Sequence, residues 1–112
     1  KIKLMSDPFT IHTDASGAAI GAILTQLDNE NSEYVVAYAS RILKGAEVHY
    51  GITEKECLAV LWGIKYFRNY ICGTKFNVLT DQSALQLLMK LRDPRGRLAR
   101  WSIYLQAYNF DI

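Results

Sequence analysis

Residues 53–71 read TEKECLAVLWGIKYFRNYI. Cys57, Val60, Leu61, Ile64, Phe67 and Ile71 recur at intervals that gather them into one apolar stripe on a helix. Thr53 followed by Glu56 fits a capping box at its start. Gly73 is a natural stop just past its end. The spacing therefore predicts a helix over 53–71, the strongest in the chain. What lies on either side decides how it is used.

Upstream, Phe9 to Asp14 alternates, with Phe9, Ile11 and Thr13 on one face and Thr10, His12 and Asp14 on the other. Ala15-Ser16-Gly17 reads as a turn. Ala18 to Leu27 is rich in small and β-branched residues and reads as a second strand, with Gly21 as a candidate bend. Asp28 to Ser32 is a polar turn, and Glu33 to Ser40 a third strand. Three strands so close in sequence form an antiparallel meander. Arg41 to Tyr50 reads as a connecting loop. Downstream, Lys75 to Thr80 is a fourth strand. Ser83 can cap a short helix over 84–91, Leu98 to Ala107 is amphipathic, and 108–112 alternates like the start of a fifth strand. A long helix between the third and fourth strands favours a crossover over a hairpin.

The chain has 112 residues, half of them hydrophobic and 21 % charged. That is room for one domain with one modest core, and the composition excludes a disordered tail. A net charge of +2 permits a nucleic-acid partner without demanding one. The apolar runs are too short for a membrane span, and the N-terminus has no signal-peptide core. Residues 1–8 read as a linker and 9–112 as the domain. The absence of an initial Met suggests a piece cut from something longer. Cys57 and Cys72 lie 15 residues apart on the same predicted helix, about 22 Å along its axis, so they are expected to remain reduced thiols.

Two short strings repeat. His12-Thr13-Asp14-Ala15-Ser16 ends the first strand, and Leu79-Thr80-Asp81-Gln82-Ser83 ends the fourth. If those strands lie side by side, Asp14 and Asp81 meet at one sheet edge. Glu56, in the first turn of the long helix, could face the same spot. Three carboxylates converging in a protein repel one another unless a cation sits between them or one is protonated. Hard divalent ions take such oxygen ligands, and two of them about 3.5–4 Å apart can clamp both oxygens of phosphodiester cleavage. Each residue also has a plain structural role open to it. Asp commonly ends strands and starts turns, and Glu56 fits the capping box. Glu54 competes with Glu56, because the two lie about 200° apart on a helix and only one can face the sheet.

The ordered set Thr13-Asp14-Ala15-Ser16, Tyr38-Ala39-Ser40-Arg41, Tyr50 with Thr53-Glu54-Lys55-Glu56-Cys57-Leu58-Ala59-Val60, Phe67-Arg68-Asn69-Tyr70 and Leu79-Thr80-Asp81-Gln82-Ser83 resembles the ribonuclease H domain of gypsy-type (Metaviridae) LTR-retrotransposon polyproteins. Arg97-Leu98-Ala99-Arg100-Trp101 and residues 108–112 extend the likeness from about Phe9 to the last residue. The resemblance implies an α/β fold, a ribonuclease H-like mixed five-stranded sheet with flanking helices. It implies hydrolysis of the RNA strand of an RNA–DNA hybrid with two Mg²⁺ ions, Mn²⁺ being a possible substitute, leaving a 5′-phosphate and a 3′-hydroxyl. The family's metal-binding acids map onto Asp14, Glu56 and Asp81. It implies a reverse-transcriptase polymerase domain as neighbour in the same polyprotein, no membrane partner, and an intracellular setting in retrotransposon virus-like particles. The family carries a fourth acid on a terminal helix in a motif like Ala-Asp-Ala-Leu-Ser-Arg. This chain stops before that helix, and Asp111 is not a substitute. The fragment is therefore expected to be weak or inactive alone, with the chemistry kept by its parent.

Lys90, Arg92, Arg95, Arg97 and Arg100 against the single Asp93 form a basic stretch suited to phosphate contacts or to an ordinary solvated surface. Arg41 is a second candidate contact. Ser16, Gly17, Gln82 and Ser83 flank the carboxylates and could touch the hybrid's sugar–phosphate edge, where 2′-hydroxyls separate RNA from DNA. The helix aromatics and the two histidines read as packing, strand and loop residues. Two rivals remain: a truncated or domesticated scaffold that no longer cuts, and a DNA-acting polynucleotidyl transferase of the same fold. Glu on the first long helix, ahead of the second Asp, favours the ribonuclease order over the transferase.

Overall fold

A computed structural model describes residues 8–81 together with 83, 84, 86, 87, 101, 110 and 111. Three strands form the expected antiparallel meander: β1 (Thr10–Ala15), β2 (Ala19–Leu27) and β3 (Glu33–Ile42). The turn between β2 and β3 closes on Asp28, whose Oδ1 accepts the N–H groups of Glu30 and Ser32 at 2.8 and 2.9 Å. The chain then crosses over through α1 (Ile52–Tyr66) and α2 (Arg68–Ile71) to β4 (Phe76–Leu79), which lies parallel to β1. A two-residue segment, β5 (Phe110–Asp111), pairs parallel with β4, so the strand order is β3-β2-β1-β4-β5. The domain is thus a mixed α/β fold with helix packed on a central sheet.

The apolar stripe read from the sequence is the core. Cys57, Val60, Ile64 and Ile71 are fully buried and Leu61 and Phe67 nearly so. They pack against Ile11, Ala22 and Leu24 of the meander and Phe76 and Val78 of β4. A second buried group, Leu58 and Ala59 with Ile20 and Leu43, widens the covered side of α1 beyond one stripe. Gly63 lets helix and sheet approach closely. A Cβ there would lie 3.0 Å from Ala22 Cβ and 3.4 Å from side-chain carbons of Ile11 and Thr13. The opposite face of the sheet carries a cross-strand row, Tyr38, Ile23, His12 and Leu79, set side by side by the strand register.

Several local expectations are corrected. The long helix is not continuous: Phe67, at φ −97° and ψ 15°, separates α1 from α2. Its buried ring sits edge-on to both Tyr66 and Tyr70. The helix start is capped at Gly51, whose N–H donates to Glu54 Oε1 at 3.0 Å. In place of the Thr53–Glu56 capping box, Glu54 caps the Gly51 N–H, and the cap lies two residues earlier than the threonine suggested. Ser83 is itself helical, and its N–H donates to Asp81 Oδ1, so Asp81 does the capping assigned to Ser83. The bend expected at Gly21 falls instead between Leu24 and Thr25, where the β2–β3 register shifts. The stretch 41–50 is more ordered than a loop: β3 runs on to Ile42, and Gly45–His49 forms a 3-10 helix. Of the helices expected over 84–91 and 98–107, only Ala84, Gln86, Leu87 and Trp101 are described, and all four are helical.

Arg41 and Glu47 account for that order. The guanidinium donates through both terminal nitrogens to the two carboxylate oxygens at 2.8 and 2.9 Å. Glu47 also accepts the Lys44 N–H at 3.0 Å. The Arg41 hydrogen bond is the largest cause holding the Glu47 carboxyl below the usual 4.5. A carboxyl lowered on folding stabilises the fold fully above its unfolded value, and that contribution is lost as pH falls through the folded value. Glu47→Gln should therefore cost on the order of 1 kcal/mol at pH 7, the pair being bidentate but partly exposed. In denaturant titrations the difference from wild type should shrink as pH falls below 4.5 and through the lower folded-state value of Glu47. An equal cost at pH 7 and pH 3 would contradict the ion pair.

Both cysteines are free thiols, as expected. Cys57 Sγ is buried and donates to the Ala84 carbonyl at 3.1 Å. Burial, with the charges of Glu54 and Glu56, pushes its pKa up to about 12. Cys72 is exposed. Iodoacetamide at neutral pH should therefore label Cys72 in the folded protein and reach Cys57 only on unfolding, read by peptide mass spectrometry. Equal labelling of both in the native state would contradict this packing.

Candidate functional site

The pairing of β1 with β4 sets Thr10 beside Asn77, Ile11 beside Val78 and His12 beside Leu79. The pairing ends there, and β4 ends at Leu79. The two Thr-Asp steps, Thr13-Asp14 and Thr80-Asp81, follow directly after the last paired residues of the two parallel strands. Both threonine hydroxyl oxygens are buried with no hydrogen-bond partner among the described residues. Both aspartates are exposed.

Glu56 approaches the same end from the first turns of α1 and is half-buried. Its proton affinity is raised by burial first, then by the charge of Asp14, and further by Asp81. The Ala15 backbone N–H, donating to the carboxylate, works the other way. Glu56 therefore feels the charge of both aspartates. Glu54 is turned back onto Gly51 at the helix start. Asp81 is held on one side only: Oδ1 accepts the N–H and O–H of Ser83 at 2.9 and 2.8 Å, and these bonds lower its pKa. Among the described residues no three His, Cys, Asp or Glu side chains stand close enough to enclose an ion as they are.

The flanking candidates have local duties. Ser16 Oγ accepts the N–H groups of Ala18 and Ala19 at 3.2 and 3.1 Å and so closes the β1–β2 turn. The Gly17 carbonyl accepts the Lys55 ammonium at 3.1 Å. Ser83 serves Asp81, and the Arg41 fork is filled by Glu47. Gln82, Arg95, Arg97 and Arg100 lie outside the described residues, as does the rest of the basic stretch apart from its neighbour Trp101. His12 acts as a strand residue, with Nε2 2.8 Å from Glu33 Oε2 and 3.2 Å from Thr25 Oγ1. An open depression of about 280 Å³ lies beside Asp14, lined by His12, Gly21, Ile23 and Tyr38 among others. Sequence reasoning missed Lys55. A lysine between two glutamates at a helix start reads as solvated, yet its residue is only 8 % exposed.

A β3-β2-β1-β4 sheet with an antiparallel meander, a parallel crossover through one long helix, and acids at the ends of β1 and β4 and on that helix defines a ribonuclease H-like domain. Residues 4–108 match the family described as "RNase H-like domain found in reverse transcriptase". The chain belongs to that family, and it is homologous to the corresponding regions of retrotransposon Pol polyproteins. It is 38 % identical over 104 residues to the retrovirus-related Pol polyprotein from transposon 297 of Drosophila melanogaster, covering 93 % of this chain and 9 % of that one. It is 35 % identical over 111 residues to the transposon Tf2-3 polyprotein of Schizosaccharomyces pombe, covering 96 % and 8 %. The chain thus spans less than a tenth of these relatives. Among solved structures, its fold is similar to the foamy viral protease-reverse transcriptase in complex with dsDNA, at TM-score 0.71 and 17 % identity, covering 96 % of this chain and 22 % of that one. The same viral protein in complex with an RNA/DNA hybrid aligns at TM-score 0.64 and 17 % identity, covering 96 % and 15 %. No helix among the described residues is long and apolar enough to cross a membrane.

Proposed function

We infer that the domain hydrolyses the RNA strand of RNA–DNA hybrids as part of a reverse-transcriptase polyprotein, with Asp14, Glu56 and Asp81 as ligands for two Mg²⁺ ions, or for Mn²⁺ in their place. The observation that carries this reading is the coupling of Glu56 to both aspartates, which follow the paired residues of β1 and β4. The fit is chemical. All three donors are carboxylate oxygens, the set that hard divalent ions take, with no thiolate or imidazole that would favour zinc. Burial and then the charges of Asp14 and Asp81 raise Glu56, and a cation would relieve the repulsive share. When bound, the ions supply Lewis-acid stabilisation of the attacking and leaving oxygens.

The chain's own residues provide the rest. Ala15 N–H and the half-buried helix turn orient Glu56. Ser83 orients Asp81 by holding one carboxylate oxygen. Water attack on phosphorus then breaks the bond to the 3′-oxygen, giving the 5′-phosphate and 3′-hydroxyl ends. The partner is the hybrid duplex, recognised through phosphates and 2′-hydroxyls, and the setting is a retrotransposon particle.

One observation favours a non-cutting binding module instead. The three carboxylates, though coupled, do not by themselves enclose an ion among the described residues. The test is cleavage of end-labelled RNA in an RNA–DNA hybrid, with and without Mg²⁺, using the polyprotein that carries this domain. Mg²⁺-dependent internal cuts, absent with an all-DNA duplex, support the nuclease. Hybrid binding without cuts supports the module.

A further inference from the structure

Lys55 is one of two buried polar or charged residues among those described, and no step above uses it. Its ammonium crosses from the first turn of α1 to the β1–β2 turn and donates to the Gly17 carbonyl at 3.1 Å. The next residue, Glu56, lies beside the same stretch of chain, where the Ala15 backbone lowers its proton affinity. The helix start therefore meets the end of β1 through two consecutive residues, and Lys55 holds it by a hydrogen bond. The gripped stretch directly follows Asp14. Ser16 closes the turn from within, since its own N–H donates to the Ala19 carbonyl at 2.8 Å and its Oγ accepts from Ala18 and Ala19. A turn closed internally and pinned at Gly17 moves as one piece with α1.

We propose that Lys55 is a positioning residue: by holding the Gly17 carbonyl it fixes the end of β1, and with it Asp14, against Glu56, and so tunes the site's hold on a divalent cation. Burying an ammonium is costly unless it is hydrogen-bonded, and the Gly17 carbonyl supplies that bond. Groups that orient metal ligands without touching the ion change affinity roughly 10–100-fold when removed. The metal half of this inference rests on the proposed function. The clip itself does not.

Hydrogen–deuterium exchange of the peptide spanning residues 14–19, in the full-length protein, separates the two. Without metal, Lys55→Met should speed exchange in this peptide about 10-fold, and Lys55→Arg, which keeps a donor, should restore most of the protection. Added Mn²⁺ should protect the peptide in wild type, and Lys55→Met should shift the midpoint upward by roughly 10-fold. Unchanged exchange and an unchanged Mn²⁺ midpoint in Lys55→Met would overturn the role given to Lys55 while leaving the metal site intact. No Mn²⁺ response in wild type would overturn the metal reading and the tuning with it, and the metal-free comparison would still decide the clip. Should Lys55→Met fail to fold, lysine acetylation of the native wild type decides. Lys55 should react at least about 10-fold more slowly than exposed Lys44, and equal rates would overturn the clip.

Discussion

Asp14→Asn should lower Mg²⁺-dependent cleavage of an RNA–DNA hybrid by at least about 100-fold, since a ligand should cost no less than the 10–100-fold typical of the groups behind it. The same change should leave the metal-free melting temperature unchanged or slightly higher. Asp14 is exposed, and its charge raises the proton affinity of the half-buried Glu56. A carboxyl raised above its unfolded value costs stability at neutral pH, a penalty that disappears as pH falls below the unfolded value. Removing the Asp14 charge lessens that penalty, so activity and stability should part company. Asp81→Asn should show the same loss of cleavage, because its Oδ1 can still accept from Ser83 and keep the local turn. Cleavage assays at saturating Mg²⁺ beside thermal melts in EDTA read both effects. Full activity in either variant would remove the residue from the site. A large drop in metal-free stability would instead identify it as a structural strand end.

Phe67→Ala should destabilise the fold by about 3–5 kcal/mol, the range for emptying a buried phenylalanine site. Against a total of roughly 5–15 kcal/mol for a domain, that is a large share. Phe67 is 1 % exposed and stands where α1 gives way to α2. Its ring packs edge-on to Tyr66 at 5.1 Å and to Tyr70 at 6.3 Å. Tyr70 in turn meets Phe9 at 5.9 Å, tying α2 to the entry of β1. The neighbouring core cannot follow the loss, because Gly63 already brings α1 into close contact with Ala22, Ile11 and Thr13. The melting temperature should fall by roughly 15 °C or more. Tyr66→Ala, at a position 57 % exposed, should cost about 1 kcal/mol. A fall of under about 5 °C for Phe67→Ala would show that the helix break, not the ring, organises this corner.

Much of the architecture was legible because the signals are local and periodic. The stripe from Cys57 to Ile71 maps onto buried residues without exception. The alternation of 9–14, the polar turn at 28–32 and the stop at Gly73, whose φ is +79°, each depend on residues close in the chain. The details that went astray depend on competition between near-equivalent groups. Thr53 and Gly51 both suit a helix start, as do Glu54 and Glu56 for its cap, and tertiary packing of the helix chose between them. Phe67 sits on the helical period, and a periodic pattern does not encode the break found there. Arg41 read as a surface cation because its partner, Glu47, lies in a segment whose 3-10 turn was not foreseen.

The sequence by itself determined the order of strands and helix, the buried stripe and the two Thr-Asp steps, since each depends on neighbours along the chain. It raised the pairing of Asp14 with Asp81 only as a condition on strand placement. Tertiary structure set β1 beside β4 in parallel, turned Glu54 back onto Gly51 and turned Lys55 inward. Those choices depend on which residue of one element faces which residue of another. A one-position shift in register or a rotation of α1 by a single residue would separate the acids without changing any local pattern.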